Sequence, residues 1–282
     1  MEVIAGVKQM QERSQQLRAQ RETIAFVPTM GYLHEGHLSL MREGRKRADA
    51  LIISIFVNPT QFGPGEDYER YPRDMKRDLQ LAQGVGVDIV FTPSVQEMYP
   101  QGFQTYVEVE KVTKNLCGIS RPHHFRGVTT VVTKLFNIVK PHLALFGQKD
   151  YQQLVTIKRM VEDLNMDIEI IGLPTVREPD GLAMSSRNAY LSPEQRRAAL
   201  SLYRSLCKGE ELFRQGTKDA KAILREIRKI IKAQKLAQID YAKICDPHTL
   251  EDIDEIEGEA LIALAVKIGE TRLIDNVILR EG

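Results

Sequence analysis

The chain has 282 residues, enough for one large domain or two unequal ones with their own apolar cores. Lys and Arg total 39 against 38 Asp and Glu, so there is no positive excess to bind a nucleic-acid backbone, and no nucleic-acid partner is expected. The longest apolar runs, at residues 50–57 and 260–266, are shorter than the roughly 20 residues of a membrane span, and the N-terminus lacks an apolar signal-peptide core, so we expect a cytoplasmic protein without a membrane partner.

The first part of the chain, to about residue 175, alternates short β-branched apolar runs with amphipathic stretches. This pattern is typical of parallel strands joined by crossover helices. Strands are predicted at residues 24–29, 51–60, 87–94, 143–148 and 168–176, and helices at 38–50 and 151–165. Residues 105–112 show the two-residue period of a half-exposed strand, whereas residues 128–140 are β-branched but long enough for a buried helix. We expect a doubly wound α/β domain at residues 1–175.

The second part of the chain opens with a strong helix-start signal. Ser192 is a predicted N-cap, Pro193 takes the first helical position, and Gln195 completes a capping box. Helices are predicted at residues 191–213 and 218–234, followed by strands at 239–246, 260–269 and 271–279. Residues 176–282 are therefore expected to form a smaller α+β domain.

The turn from Thr29 to His37 is the first candidate for chemistry. An apolar strand ends there, Gly31 permits a tight turn, and a helix is predicted to open at His37, where unpaired amides attract anions. His34 and His37 lie three residues apart, close enough to donate together to a phosphate. Two surface histidines near a loop are the alternative, which the Gly-rich strand-to-helix turn disfavours. The spacing excludes a zinc-protease helix, and the chain has neither a P-loop nor a G-x-G-x-x-G motif.

Three further segments follow strand ends or join the two parts of the chain. Gly147 closes a predicted strand ahead of Lys149, which could hold a phosphate as a point charge. Residues 177–192 form a polar loop that could close over phosphates. Asn58 and Gln61 are neutral hydrogen-bonding groups suited to orienting a small polar substrate.

Six motifs carry a resemblance to a known family, whose own motifs have the same order and similar spacing: PTMGYLHEGH, NPTQF, YPRD, RPHHFRGVTTVVTKLFN, FGQKDYQQ and MSSRNAYL. Together they resemble the pantothenate synthetases, or pantoate-β-alanine ligases, over nearly the whole chain. The segment His34-Glu35-Gly36-His37 also resembles the His-x-Gly-His signature of the wider nucleotidylyltransferase superfamily, and residues 184–187 resemble its second phosphate signature. The resemblance implies a Rossmann-like nucleotide-binding domain with a smaller C-terminal domain that closes about a hinge near Val176.

The implied reaction has two steps. Pantoate attacks the α-phosphate of MgATP and releases pyrophosphate, and β-alanine then attacks the pantoyl adenylate to give pantothenate and AMP. The resemblance implies catalytic roles for His37, His34 and Lys149, with His37 as the proton donor. It implies pantoate contacts from Gln61 and Gln153, with Gln61 also near β-alanine, and Asn58 is a further candidate for the β-alanine site. It places ATP against the following residues: Met30, Gly31, Tyr32, Leu33, His34, Glu35, Gly36, His37, Gly147, Gln148, Lys149, Asp150, Val176, Met184, Ser185, Ser186 and Arg187. It also implies a homodimer, and it names no Mg²⁺ ligands.

One segment departs from the family pattern, because His123 stands before His124 where the family usually has a small residue. The roles of both histidines stay open, as does the base for the β-alanine amine. Two other functions are alternatives. A nucleotidylyltransferase that keeps the nucleotide on its product would leave Gln61 and Gln153 unexplained. A non-catalytic nucleotide sensor would not account for donors on three loops.

Overall fold

The computed structural model describes residues 1–281, which divide into two compact units. The first unit comprises residues 1–109, 123–148 and 153–174. The second comprises residues 110–122, 149–152 and the chain from residue 175. Two segments of the second unit thus precede residue 175, where the sequence predicts the boundary between domains.

A six-stranded sheet forms the centre of the first unit. Its strands are β1 (Glu2–Ile4), β2 (Ile24–Thr29), β3 (Ala50–Ile55), β4 (Ile89–Phe91), β5 (Leu143–Gly147) and β6 (Glu169–Leu173). They lie in the order β1-β4-β3-β2-β5-β6, and all pairs are parallel. The chain order reverses between β2 and β5. In parallel sheets such a reversal opens a ligand crevice at the carboxyl ends of the strands.

Helices cover both faces of this sheet. They are α1 (Val7–Ala19), α2 (Glu35–Arg47), α3 (Met75–Gly84), α4 (Val95–Met98), α6 (His124–Val139) and α7 (Tyr151–Asp163). Phe26 of β2 belongs to the core on one face, where its ring centroid lies 6.4 Å from that of Phe136 of α6. The adjacent Val27 belongs to the core on the other face, together with Met41 of α2. The predicted doubly wound α/β fold is confirmed. Residues 128–139 belong to the buried helix α6, and Lys140 is its C-cap.

The strand predicted at residues 105–112 is absent, and that prediction was wrong. Instead of pairing with a neighbouring strand, the backbone of Val107 bonds to hydroxyl groups of α6. The Val107 N–H donates to Thr130 Oγ1 at 3.0 Å, and the Val107 carbonyl accepts from Thr129 Oγ1 at 2.6 Å. The alternation of apolar and polar residues therefore reflects a half-buried segment and not a strand. Threonine hydroxyls of α6 take the hydrogen bonds that a neighbouring strand would make.

The second unit is a small α+β domain, as predicted. Its main elements are α8 (Pro193–Arg214), α9 (Ala220–Lys232) and an antiparallel sheet of β7 (Ala237–Cys245), β8 (Glu259–Ile268) and β9 (Thr271–Arg280), with the short α5 (Cys117–Ser120). The predicted capping box is present, since Ser192 Oγ accepts from the Gln195 N–H at 3.2 Å and Gln195 Oε1 accepts from the Ser192 N–H at 2.9 Å. Across residues 1–281, no helix combines the length and apolarity needed to cross a membrane.

Candidate active site

The turn that follows β2 has a strained backbone held by specific contacts. Gly31 and Tyr32 both have left-handed φ angles, of 81° and 50°. A Cβ at Gly31 would lie 2.9 Å from Ile55 Cγ2, so both the conformation and the space favour glycine. Thr29 Oγ1 donates to the Ser54 carbonyl at 2.7 Å and accepts from the Gly31 N–H at 3.1 Å. The sharp turn is thereby tied to β3.

Asp78 of α3 holds the next part of the turn. Its Oδ2 accepts from the Tyr32 N–H and its Oδ1 from the Leu33 N–H, both at 2.7 Å. The residue is 1% exposed, and burial raises the pKa of its carboxyl while the two backbone N–H groups counteract that rise. Sequence reasoning missed Asp78, because nothing local to a charged helical residue reveals a contact 46 residues away.

The two histidines of the turn cap helix α2. This helix begins at Glu35, two residues before the predicted start, with His34 as its N-cap. His34 Nδ1 accepts from the Gly36 N–H at 3.2 Å, and His37 Nδ1 accepts from the His34 N–H at 3.3 Å. Their ring centroids lie 4.1 Å apart, which confirms that they lie together. Since each Nδ1 is an acceptor, each neutral ring carries its proton on Nε2 and presents that N–H as a donor.

Asn58 and Gln61 follow β3, the neighbour of β2. Asn58 is 1% exposed, and its Nδ2 donates to Gln61 Oε1 and to the Gly127 carbonyl, both at 3.1 Å. The Tyr99 hydroxyl donates to Asn58 Oδ1 at 2.8 Å, and burial raises the pKa of Tyr99 to about 12, so the donor stays protonated. Gln61 Nε2 lies 3.3 Å from the sulfur of Met30. The structure thus brings Gln61 and Met30 together, with the amide nitrogen of Gln61 directed to the turn.

The first turn of α6 packs directly on the backbone beside Gln61. A Cβ at Gly127 would lie 2.3 Å from the Thr60 carbonyl oxygen and 2.6 Å from the Gln61 nitrogen. His124 Nδ1 lies 2.9 Å from the Gln61 carbonyl, which can only accept, so this ring nitrogen donates. His123 is exposed. Of the two adjacent histidines, His124 is therefore the one that contacts a predicted site residue.

Gly147 is the last residue of β5, on the other side of β2, and Gln148 follows it; both are half-buried. The loops after β3, β2 and β5 thus leave neighbouring strands at the same edge of the sheet, at the reversal of strand order. Gln153, on α7, is also half-buried, and its side chain makes no hydrogen bond to another residue in the described range 1–281. Its amide is available for a ligand.

In the second unit, Lys149 is anchored by its backbone. Its carbonyl accepts from Asn276 Nδ2 at 2.8 Å, while its ammonium, 3.6 Å from Asp150 Oδ2, belongs to a side chain that is 20% exposed. Gln152 has a structural role instead. Its Nε2 donates to the carbonyls of Val112 and Asn115, at 2.9 and 2.8 Å, and its Oε1 accepts from the Cys117 N–H at 3.0 Å.

Residues 176–184 form a tight hairpin. The Met184 N–H donates to the Val176 carbonyl at 3.0 Å, and the Glu178 N–H donates to the Leu182 carbonyl at 2.8 Å. Arg177 anchors the hairpin through a bidentate ion pair with Asp275 of β9, at 2.7 and 3.0 Å.

The predicted phosphate residues Ser185 to Arg187 follow this hairpin. Ser185 Oγ accepts from the Arg187 N–H at 3.3 Å and caps a short 3-10 helix, Ser186–Tyr190. Ser186 is buried, whereas Met184, Ser185 and Arg187 are half-buried. The segment from Val176 to Arg187 is therefore a pinned structural element and not an open linker.

Known proteins match this chain over nearly its whole length. The family model described as Pantoate-beta-alanine ligase matches residues 2–278. The pantothenate synthetase of Syntrophus aciditrophicus is 61% identical over 281 residues, covering 100% of this chain and 98% of the relative. That of Pelotomaculum thermopropionicum is 65% identical over 262 residues, covering 93% of each.

Two solved structures are similar throughout. The pantothenate synthetase of Thermus thermophilus superposes with a TM-score of 0.93 at 48% identity, covering 98% of this chain and 99% of that one. The pantoate-beta-alanine ligase of Francisella tularensis, complexed with beta-gamma ATP and beta-alanine, gives a TM-score of 0.80 at 35% identity, covering 98% and 97%.

Proposed function

The chain belongs to the pantoate-beta-alanine ligase family, and from this membership we propose that it uses ATP to condense pantoate with β-alanine into pantothenate, AMP and pyrophosphate. It is a ligase that forms a C–N bond. The observation that carries the proposal is the family match over residues 2–278. The geometry of the candidate site explains how the residues would act.

In the first step, a carboxylate oxygen of pantoate attacks the α-phosphorus of ATP. The bond from that phosphorus to the bridging oxygen breaks, and pyrophosphate leaves with the electron pair. Negative charge develops on the phosphate oxygens during this step. The Nε2–H groups of His34 and His37 are donors suited to that charge, with His37 as the proposed proton donor, and the Lys149 ammonium adds a positive charge.

In the second step, the β-alanine nitrogen attacks the acyl carbon of pantoyl adenylate. The bond to AMP breaks, AMP leaves with the electron pair, and the amine loses a proton. Gln61 and Gln153 are proposed to hold pantoate. Because Asn58 occupies Gln61 Oε1, Gln61 offers its Nε2–H group to an oxygen of pantoate. Asn58 is buried, and we propose that it orients Gln61 through this hydrogen bond. It is also a candidate for the β-alanine site.

ATP is proposed to lie against Met30 to His37, Gly147 to Asp150, Val176 and Met184 to Arg187. Leu33 is 0% exposed, so its side chain supports the turn from within. Among residues 1–281, no cluster of three or more His, Cys, Asp or Glu side chains is arranged to hold a metal. Mg²⁺ commonly binds through substrate phosphates with few protein ligands, so we propose that it enters as MgATP.

The test is the identity and ratio of the products from MgATP, pantoate and β-alanine. We expect pantothenate, AMP and pyrophosphate in equal amounts. A nucleotidylyltransferase would instead release an adenylylated product without AMP, and a sensor would bind ATP without turnover. Either result contradicts the proposal. A homodimer in the cytoplasm is proposed from the resemblance, and sedimentation tests the dimer.

A further inference from the structure

The turn that carries His34 and His37 contains an internal anion. We propose that Asp78 is a positioning residue, whose carboxylate fixes the turn and thereby places the two histidines. Asp78 does not touch the substrates in this account. The inference rests on the proposed function for its kinetic effect, but the contact itself is testable without any activity.

The Tyr32 and Leu33 amides form the kind of concavity that binds anions. Successive backbone N–H groups that follow a left-handed residue point to one side and attract negative charge. Here Tyr32 has a φ of 50°, and one Asp78 oxygen lies 2.7 Å from each of the two nitrogens. The protein's own carboxylate therefore occupies this concavity. These two amides donate to Asp78 and are therefore not directed to a phosphate. The phosphate donors proposed for this turn are the imidazoles that follow them.

The position of Asp78 links its carboxylate to the imidazole pair. Leu33, whose N–H it accepts, is bonded directly to His34, the N-cap of α2. The His34 N–H in turn donates to His37 Nδ1 at 3.3 Å. A non-glycine residue in the left-handed region at Tyr32 is unfavourable unless its surroundings hold it there. Loss of the carboxylate would release that conformation and shift both rings.

Arg77 makes a second contact with Tyr32, on its ring. The Arg77 guanidinium lies 5.2 Å from the Tyr32 ring centroid, and Arg77 Nη1 lies 3.9 Å from Asp78 Oδ1. Adjacent residues of α3 thus hold the backbone and the ring of Tyr32. This arrangement makes α3 the support of the turn, although none of its residues belongs to the predicted ATP set.

The experiment replaces the carboxylate and then supplies it in solution. Asp78→Ala leaves the N–H groups of Tyr32 and Leu33, one part-buried and one buried, without their acceptor, and it leaves a space of the size of a carboxylate, which formate can fill. We expect kcat to fall by about 10²-fold, as expected for a misplacement of about 1 Å, with a smaller change in the pantoate KM. Formate should restore kcat and raise the Tm of the variant, both with saturation. Chloride at the same ionic strength is the control salt.

Asp74→Ala is the matched control variant. Asp74 is exposed and caps the same helix, accepting from the Arg77 N–H at 3.0 Å, but it does not touch the turn. Its loss should lower Tm slightly, leave kcat near the wild-type value and give no response to formate. The proposal would be overturned by a wild-type kcat in Asp78→Ala. It would also be overturned if formate restored neither the activity nor the Tm of that variant.

Folding is followed by circular dichroism in each variant. An Asp78→Ala protein that folds only with formate supports the proposal, whereas one that stays unfolded at every formate concentration contradicts it. Asp78→Asn, which keeps the shape but sets an NH₂ group against a backbone N–H, is expected to resist rescue. If the wild-type protein lacked ligase activity, the proposed function would fail while the formate-dependent Tm still tested the contact.

Discussion

The backbone N–H of His34 donates to His37 Nδ1 at 3.3 Å, so the second histidine of the turn caps the helix that begins beside the first. Each imidazole therefore has two separable tasks. Its Nδ1 accepts from a backbone N–H, and its Nε2–H is proposed to donate to a phosphate. Variants that keep one task and remove the other distinguish structural from chemical roles.

His37→Asn and His37→Ala form such a pair. Asparagine offers an oxygen near the Nδ1 position and keeps an acceptor for the His34 N–H, whereas alanine removes the acceptor as well. We expect both variants to lose about 10²-fold or more in kcat, because both lack the Nε2–H donor. Only His37→Ala should also lose about 1 kcal/mol of unfolding free energy, as for a lost N-cap. Steady-state kinetics and urea unfolding measure the two effects, and a near-wild-type rate in either variant rejects the chemical role.

Gly127→Ala tests the close packing beside Gln61. The added Cβ would lie 2.3 Å from the Thr60 carbonyl oxygen, so the Thr60–Gln61 backbone must move. We expect the pantoate KM to rise by about 10-fold or more, since misplaced groups lose much of their effect. Gly84→Ala is the control, because a Cβ at this helical glycine meets nothing within 4 Å. Equal pantoate KM values in both variants would contradict the assigned role of Gln61.

The Arg177–Asp275 ion pair should contribute strongly to the second unit. Asp275 has a side chain that is 2% exposed, so Arg177→Gln would leave a buried carboxylate without its cation. We expect a loss of about 3–5 kcal/mol of unfolding free energy. Arg280→Gln breaks the exposed pair with Glu259 and should cost less than about 1 kcal/mol. Urea unfolding measures the loss of unfolding free energy in each variant. Similar losses would contradict a larger contribution from the buried ion pair.

His142 is expected to make stability depend on pH. Its Nδ1 accepts from the Ile24 N–H at 2.9 Å, and burial, aided by Arg18, lowers the pKa of His142 in the folded state, with Asp167 acting in the opposite direction. Because the unfolded state then binds more protons, this contribution is complete above the unfolded pKa of about 6.5 and is lost as pH falls toward the lower folded value. His142→Asn keeps an acceptor that does not titrate. Urea unfolding at about pH 7.5 and pH 5.5 should show a smaller decrease for the variant, and an equal decrease would contradict the assignment.

Much of the fold could be predicted from the sequence because its periodic signals are local. The β2, β3 and β5 runs are buried on both faces and read as continuous apolar segments. The Ser192 capping box depends on residues only three apart. By contrast, β1, α1 and α3 were not predicted, since α1 and α3 are polar over most of their length and β1 has only three residues. Residues 105–112 have a strand pattern but bond to threonine hydroxyls, which periodicity cannot show.

Some residues of the candidate site could likewise be predicted from the sequence, and others could not. The histidine pair was predicted from spacing and from the resemblance, and the rings do lie together. The supporting contacts from Asp78, Tyr99 and Gly127 join residues about 40 or more positions distant, and their residue types also occur on ordinary helices and loops. The residues that would touch substrate carry motif signals, whereas the residues that position them become visible only in three dimensions.

Exchange of labelled pyrophosphate into ATP reports directly on the proposed attack of pantoate on ATP. If a pantoate carboxylate attacks ATP at the histidine turn, the folded protein should catalyse exchange that requires pantoate and Mg²⁺, occurs without β-alanine and is strongly reduced in His37→Ala. Absence of pantoate-dependent exchange in protein that makes pantothenate would contradict the adenylate step, and its absence together with no pantothenate would contradict the account as a whole.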